Sequence, residues 1–160
     1  SMQFSCEVPE DAFACLLVAL KQSRSWLQHL DLTFDSWMDD ERLQSLAACL
    51  PEHLRRLTLS VANHYGALGD EGVAALGANL PATLEHLHLD FEGCKNLGDG
   101  GVAALAASLP ATLEHLCLNF LLCRKVGDEG VAALGANLPA TQLEQLDLDF
   151  EYCEELGDGG

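Results

Sequence analysis

The sequence is poor in basic residues, with eight Lys and Arg against 25 Asp and Glu and a formal net charge of -17. Nucleic acids and anionic membranes need a basic surface that neutralises their phosphates, so neither is an expected partner. The shortage favours a protein partner that carries a basic patch. A charged surface that serves only solubility explains the same composition.

The sequence also lacks a long apolar run and a paired cysteine pattern. The longest apolar run, Ala12 to Leu20, is about half of the ~20 residues that a membrane-spanning helix needs. The seven cysteines are an odd number without the spacing of secreted disulfide-rich domains. We therefore expect reduced thiols and a cytoplasmic, intracellular protein.

What the sequence does have is a repeat, which residues 84–112 show as LEHLHLDFEGCKNLGDGGVAALAASLPAT. Five units begin 27, 30, 29 and 30 residues apart, at Leu27, Leu54, Leu84, Leu113 and Leu143. The pattern predicts two regions. Residues 1–26 form an N-terminal helix or partial repeat cap, and residues 27–160 form about four and a half units, the last of them truncated before its helix. Such an end is typical of a fragment of a longer array.

Each unit begins with a predicted strand. We number the places in a unit from its first leucine. Leucines at the fourth and sixth places, such as Leu87 and Leu89, alternate with polar residues, a period of two that is typical of a strand with one buried face. His86, His88 and Asp90 then lie on the opposite face.

Each unit continues with a predicted helix. Val73, Leu76 and Leu80 form one helical stripe, and Pro81 ends it. Asp70 is expected to cap the start of its own helix with its carboxylate. One unit cannot bury its own apolar edge, so the units must stack.

The pattern LxxLxLxFxxCxxLGDxGVAALxxxLP resembles the ribonuclease-inhibitor-like subgroup of leucine-rich repeat proteins, over residues 27–160 and more loosely 9–26. The recurring Cys94, Cys123 and Cys153 resemble the cysteine-containing subgroup, two places beyond its usual slot. The resemblance implies an α/β solenoid, a horseshoe arc with parallel strands on the concave face and helices on the convex face. It also implies a module that binds other proteins on its concave face. We expect the three cysteines to fill the solenoid turn as small apolar side chains.

The concave face supplies the expected partner-binding residues, because these places vary between units while the scaffold repeats. They are His29, Arg56, His86, His88, Asp90, His115, Cys117, Asn119, Asp147 and Asp149. The alternative is that residues at solvent-exposed positions change without selection for a partner, which would produce the same variation.

The rim beside this face is a second expected contact area. Leu121 and Leu122 replace polar or small residues of the other units, and together with Tyr152 they could form an apolar anchor. The alternative is that one of the two leucines packs inward over the loop and makes no contact with a partner.

Two other kinds of function remain as alternatives to protein binding. His86, His88, His115 and Cys117 fall on adjacent strands and have the chemistry of a zinc site. The chain could instead be a structural or assembly segment of a larger repeat protein, associating end to end through its uncapped last unit.

We expect no enzyme and no cofactor. The sequence shows no Ser-His-Asp or Cys-His arrangement beyond chance. The Gly-Asp-Gly-Gly run at 98–101 has an acid where a phosphate-binding loop needs Lys. We also expect a repeat surface without a pocket that could exclude water.

Overall fold

A computed structural model describes residues 2–23, 25–35, 37–61, 67–139 and 142–157. Within these ranges the strands are β1 (Met2–Val8), β2 (Leu27–Phe34), β3 (Arg56–Val61), β4 (His86–Asp90), β5 (His115–Asn119) and β6 (Gln145–Asp149). The helices of the same ranges are α1 (Phe13–Gln22), α2 (Asp40–Ala47), α3 (Asp70–Ala78), α4 (Asp99–Ala107) and α5 (Asp128–Asn137). A short 3-10 turn at Glu10–Ala12 precedes α1.

The strands form one parallel sheet in chain order, β1-β2-β3-β4-β5-β6, and a helix follows each of the first five. This confirms the predicted α/β class with parallel strands, and the alternation is consistent with a repeat solenoid. None of the helices among the described residues combines the length and apolar composition that a bilayer crossing requires.

The core lies between the sheet and the helices. Leu87 and Leu89 of β4 are 2% and 0% exposed, and they belong to the same apolar cluster as Val102 and Leu105 of α4. Burying one such side chain contributes roughly 1.5–3 kcal/mol. The intervening side chains of β2 to β6 point the other way, and we call this second side of the sheet the open face.

The N-terminal region contains an element that the sequence did not predict. Helix α1 confirms the helix expected within residues 1–26, but β1 precedes it and pairs in parallel with β2. The segment has none of the repeat's leucines, so the strand pattern used for the other units does not detect it. Residues 1 and 24 and the last three residues, 158–160, lie outside the described ranges.

The prediction that Asp70 caps its own helix is wrong. The N-cap residue of α3 is Gly69, and α3 has no side-chain cap. Instead Oδ1 of Asp70 accepts a hydrogen bond of 2.7 Å from the backbone N–H of Gly98, the residue that caps the next helix. The carboxylate thus caps its neighbour and joins two units.

The same bond recurs along the helices, and we call the set the aspartate ladder. Its members are the bonds from Gly69 to Asp40 (2.8 Å), Gly98 to Asp70 (2.7 Å), Gly127 to Asp99 (2.7 Å) and Gly157 to Asp128 (3.1 Å). Two places beyond Asp70, Asp99 and Asp128 the chain has a glycine, because a side chain there would collide with the aspartate of the preceding unit, as at Gly72 and Asp40.

The recurring cysteines are buried as predicted, and they also donate hydrogen bonds. Sγ of Cys123 donates to the carbonyl of Phe91 at 3.1 Å, and Sγ of Cys153 donates to that of Phe120 at 3.3 Å. Burial raises the pKa of Cys123 to about 12, and it also raises the pKa of Cys153. All six cysteines whose side chains are described are thiols. These cysteines therefore support the scaffold.

Candidate binding face on the open side of the sheet

The register of the strands confirms the predicted columns of side chains. The third-place residues of neighbouring strands are register partners, and they form one column across β2 to β6: His29, Arg56, His86, His115 and Gln145. The fifth-place residues form a second column across the same strands: Asp31, Thr58, His88, Cys117 and Asp147. Since alternate residues of a strand share a face, both columns lie on the open face.

A shallow depression of about 360 Å³ lies at the centre of the open face. Its polar lining comes from the third and fifth places: Arg56, Thr58, His86, His88, His115, Cys117 and Gln145. The expectation of a surface without a pocket was therefore too simple, since the sheet forms a depression that is open to solvent.

The seventh-place residues mainly hold the scaffold. The carboxylate of Asp90 accepts hydrogen bonds from Ser60 Oγ and Asn119 Nδ2, both at 3.0 Å. The side chain of Asn119 also accepts from the backbone N–H of Leu121, and Asp149 accepts from that of Glu151. Asp90, Asn119 and Asp149, all predicted as contacts, thus fix the ends of the strands and the turns that follow.

Other predicted contacts have side chains that are available to a partner. Among the described residues no hydrogen bond or ion pair engages the side chains of Arg56, His88 or Asp147, and all three are exposed. Cys117 is half-buried, and burial followed by the charges of Asp147 and Asp90 raises the pKa of its thiol. His29 is half-buried on β2, outside the lining of the depression.

The two histidines of the third place stack on each other. The rings of His86 and His115 lie 4.3 Å apart at an interplanar angle of 8°. Burial, followed by the positive charge of Arg56 and the neighbouring His115, lowers the pKa of His86. Nδ1 of His115 lies 3.2 Å from Oε1 of Gln145, and the nitrogen donates to the amide oxygen in the tautomer that carries the proton on Nδ1.

The structure groups potential metal ligands differently from the square of His86, His88, His115 and Cys117. Among the described residues, the set with ligand atoms within 4.8 Å of one another is His86, Glu114 and His115. Neither His88 nor Cys117 belongs to it. The cross-strand pair of His86 and His115 was among the predicted ligands, but Glu114 was not.

Sequence reasoning missed Glu114 because it considered only the third, fifth and seventh places. The second place holds Glu85, Glu114 and Glu144 in consecutive units. Arg55, at the same place one unit earlier, forms an ion pair with Glu85. This recurrence is the signal that could have brought the second place into the candidate site.

The rim residues Leu121, Leu122 and Tyr152 lie in turns of similar sequence. Gly93, Leu122 and Tyr152 occupy the same place and all have positive φ, at 73°, 62° and 61°. Glycine adopts this conformation freely, whereas other L-residues do so at a cost of roughly 1–2 kcal/mol. Tyr152 is 65% exposed, and Leu121 and Leu122 are half-buried.

Comparison of the sequence with protein-family models and with curated proteins found no match.

Proposed function

We propose that this chain is a non-catalytic protein-binding module of the leucine-rich repeat class, similar to the ribonuclease-inhibitor-like subgroup. Its partner binds the open face, which would be the concave side of an arc, together with the adjoining rim. The observation that carries the proposal is the contrast between the two faces of one sheet. The buried face repeats leucine, whereas the open face presents side chains that differ between units around a depression, and those of Arg56, His88 and Asp147 have no hydrogen bond or ion pair within the described ranges.

The open face offers directional contacts without an enclosed site. Arg56, His88 and Asp147 differ in charge and in hydrogen-bonding capacity, and no intramolecular hydrogen bond or ion pair within the described ranges occupies their side chains. Interfaces obtain much of their specificity from complementary polar and charged groups of this kind. The depression is open to solvent, which suits contact with a protein surface better than enclosure of a small substrate.

Charge favours a basic patch on the partner. The chain has a formal net charge of -17, and residues 126–160 contain nine acids and no Lys or Arg. Attraction between charged surfaces is screened by salt, so affinity for such a partner should fall as ionic strength rises. A salt-independent complex would contradict this part of the proposal.

The backbone conformation of the rim residues also supports the proposal. Leu122 and Tyr152 keep a strained conformation at a place where another unit has Gly93. Strain retained at an exposed aromatic residue is consistent with a role in contact rather than in folding. Tyr152→Gly should therefore preserve or raise the free energy of unfolding while weakening partner binding. Loss of stability without loss of binding would remove Tyr152 from the interface.

The open face can be tested by capture from native lysate with two charge-matched variants. The face variant combines Arg56→Ala, His88→Ala and Asp147→Ala. The helix-side variant combines Lys21→Ala, Gln44→Ala and Glu71→Ala, which are exposed residues of α1, α2 and α3. A protein retained by the wild type and by the helix-side variant, but lost by the face variant, is the expected result. Loss from the helix-side variant alone would place the interface on the helices.

A second candidate function is that of an assembly segment of a larger repeat protein, and β6 favours it. Leu146 is 43% exposed, whereas its counterparts Leu87 and Leu116 are 2% and 1% exposed. A second copy of the chain packed against β6 would cover it. Association through β6 should appear in sedimentation velocity as a mass that rises with concentration and that Leu146→Glu abolishes. A monomer at every concentration would argue against self-association.

A further inference from the structure

His86, Glu114 and His115 are brought together by the backbone at the start of two adjacent strands. His86 pairs with His115 in the parallel register of β4 and β5. The carbonyl of Glu85 accepts hydrogen bonds from the backbone N–H groups of Glu114 and His115, at 2.8 and 3.0 Å. The three side chains therefore lie close together where β4 and β5 begin, and all three are half-buried.

From this geometry we propose that His86, Glu114 and His115 bind one divalent transition-metal ion of the zinc type. Two imidazole nitrogens and one carboxylate oxygen form a donor set that Zn²⁺ favours, and three protein ligands leave a coordination position for water. The ligand atoms already lie within 4.8 Å of one another. Tetrahedral zinc, with bonds of about 2.1 Å, needs its ligand atoms about 3.4 Å apart, so modest side-chain rotation completes the site.

The hydrogen bond of His115 is the second observation that supports a site. In the tautomer with the proton on Nδ1, that nitrogen donates to Oε1 of Gln145, and Nε2 keeps its lone pair for a metal. Histidine ligands commonly donate their other ring N–H to an oxygen in this way, which fixes both the tautomer and the ring orientation. Gln145 acts here as a positioning residue and does not touch the metal.

The charges around the site make opposite contributions. Glu114 supplies the negative charge that a divalent cation needs, and Glu85, which forms an ion pair with Arg55, is a second acid near His86. Arg56, which pairs with His86 in the sheet register, places a positive charge next to the site. Arg56→Gln should therefore tighten metal binding, an effect that a purely structural histidine stack would not produce.

The test is a titration of the full chain with Zn²⁺ by calorimetry, after chelator treatment and in the presence of a reducing agent that does not bind metal. The wild type should bind one ion. Glu114→Gln and His115→Gln should weaken binding about tenfold or more, and Gln145→Ala should weaken it by about tenfold. The matched controls Glu144→Gln and His88→Gln remove the same groups from neighbouring positions and should leave the affinity unchanged.

Substitution with Co²⁺ distinguishes these ligands from the cysteines. The expected spectrum shows tetrahedral cobalt without a thiolate charge-transfer band. The absence of saturable 1:1 binding would overturn the proposal, as would equal weakening by the controls. A thiolate band or weakening by Cys117→Ser would overturn it in favour of a site that includes cysteine. Partner binding by the open face is measured separately and does not depend on this result.

Discussion

At the scale of single residues, glycine is required where one helix start contacts the next. A Cβ added at Gly101 would lie 2.5 Å from Cδ1 of Leu97 and 2.8 Å from Oδ1 of Asp70. A Cβ added at Gly135 in α5 would meet nothing within 4 Å. Both glycines lie within helices, but only Gly101 is required by packing.

We expect Gly101→Ala to lower the free energy of unfolding by roughly 1–3 kcal/mol, because the new methyl group forces neighbouring atoms apart. Gly135→Ala is the control and should raise it by up to about 1 kcal/mol, through better helix propensity alone. Urea denaturation measures both changes. Equal effects at the two sites would mean that the close contact at Gly101 does not exist.

The buried thiol of Cys123 gives a second prediction at this scale. In the folded chain its pKa is raised to about 12, whereas an unfolded chain releases the proton near the ordinary value of about 8.5. The unfolded state therefore binds fewer protons between these values, and stability falls as pH rises through that window. Cys123→Ala should reduce the steepness of this fall, measured by denaturation at several alkaline pH values.

Alkylation checks the same thiol independently. In the native protein at about pH 8.5, Cys123 should resist a thiol reagent because its thiolate is scarce and it is buried. Cys15, which is exposed on α1, is the internal control and should react. Modification of Cys123 as fast as Cys15, read by mass spectrometry, would contradict the assignment of Cys123 to the scaffold.

At the scale of elements, the aspartate ladder couples each helix to the next. The carboxylates of Asp40, Asp70 and Asp99 each accept the N–H of the N-cap residue of the following helix, so removing one leaves a backbone donor without that partner. The central bond from Gly98 to Asp70 is partly buried and 2.7 Å long, whereas the last bond, from Gly157 to Asp128, is exposed and 3.1 Å long.

Asp70→Ala should therefore lower the free energy of unfolding by roughly 1–3 kcal/mol, the cost of an unsatisfied buried group. Asp128→Ala removes the same group where water can replace it, and it should cost clearly less. Denaturant unfolding of the two variants gives the comparison. A larger loss at Asp128 would show that the ladder does not stabilise the interior of the array.

The relation between units is also where sequence reasoning reached its limit. Period-two alternation fixed the face of His86 and His88, and the unit spacing aligned them with His115 and Cys117, so the columns were predictable. The bond from Asp70 to Gly98 and the approach of Glu114 to His86 depend on how one unit sits against the next. The pattern within a single unit does not encode that offset, so both were missed.

At the scale of the whole molecule, the two faces of the sheet differ in what they contribute to the fold. One continuous apolar cluster extends from Val8 to Cys153 and includes the leucines on the buried face of β2 to β5, while Leu148 of β6 packs against it only partly buried. The open face is left for polar side chains that the core does not need, and seventh-place residues such as Asp90 secure the strand ends beside it. The central claim is that a protein partner occupies this face.

Site-specific photo-crosslinking tests that claim most directly. A photo-reactive residue replaces His88, at the centre of the open face, or Glu71, exposed on α3, and each protein is irradiated in native lysate. We expect a crosslinked protein from position 88, competed away by unlabelled wild type but not by the face variant, and none from position 71. Specific crosslinking from position 71 alone would contradict the account.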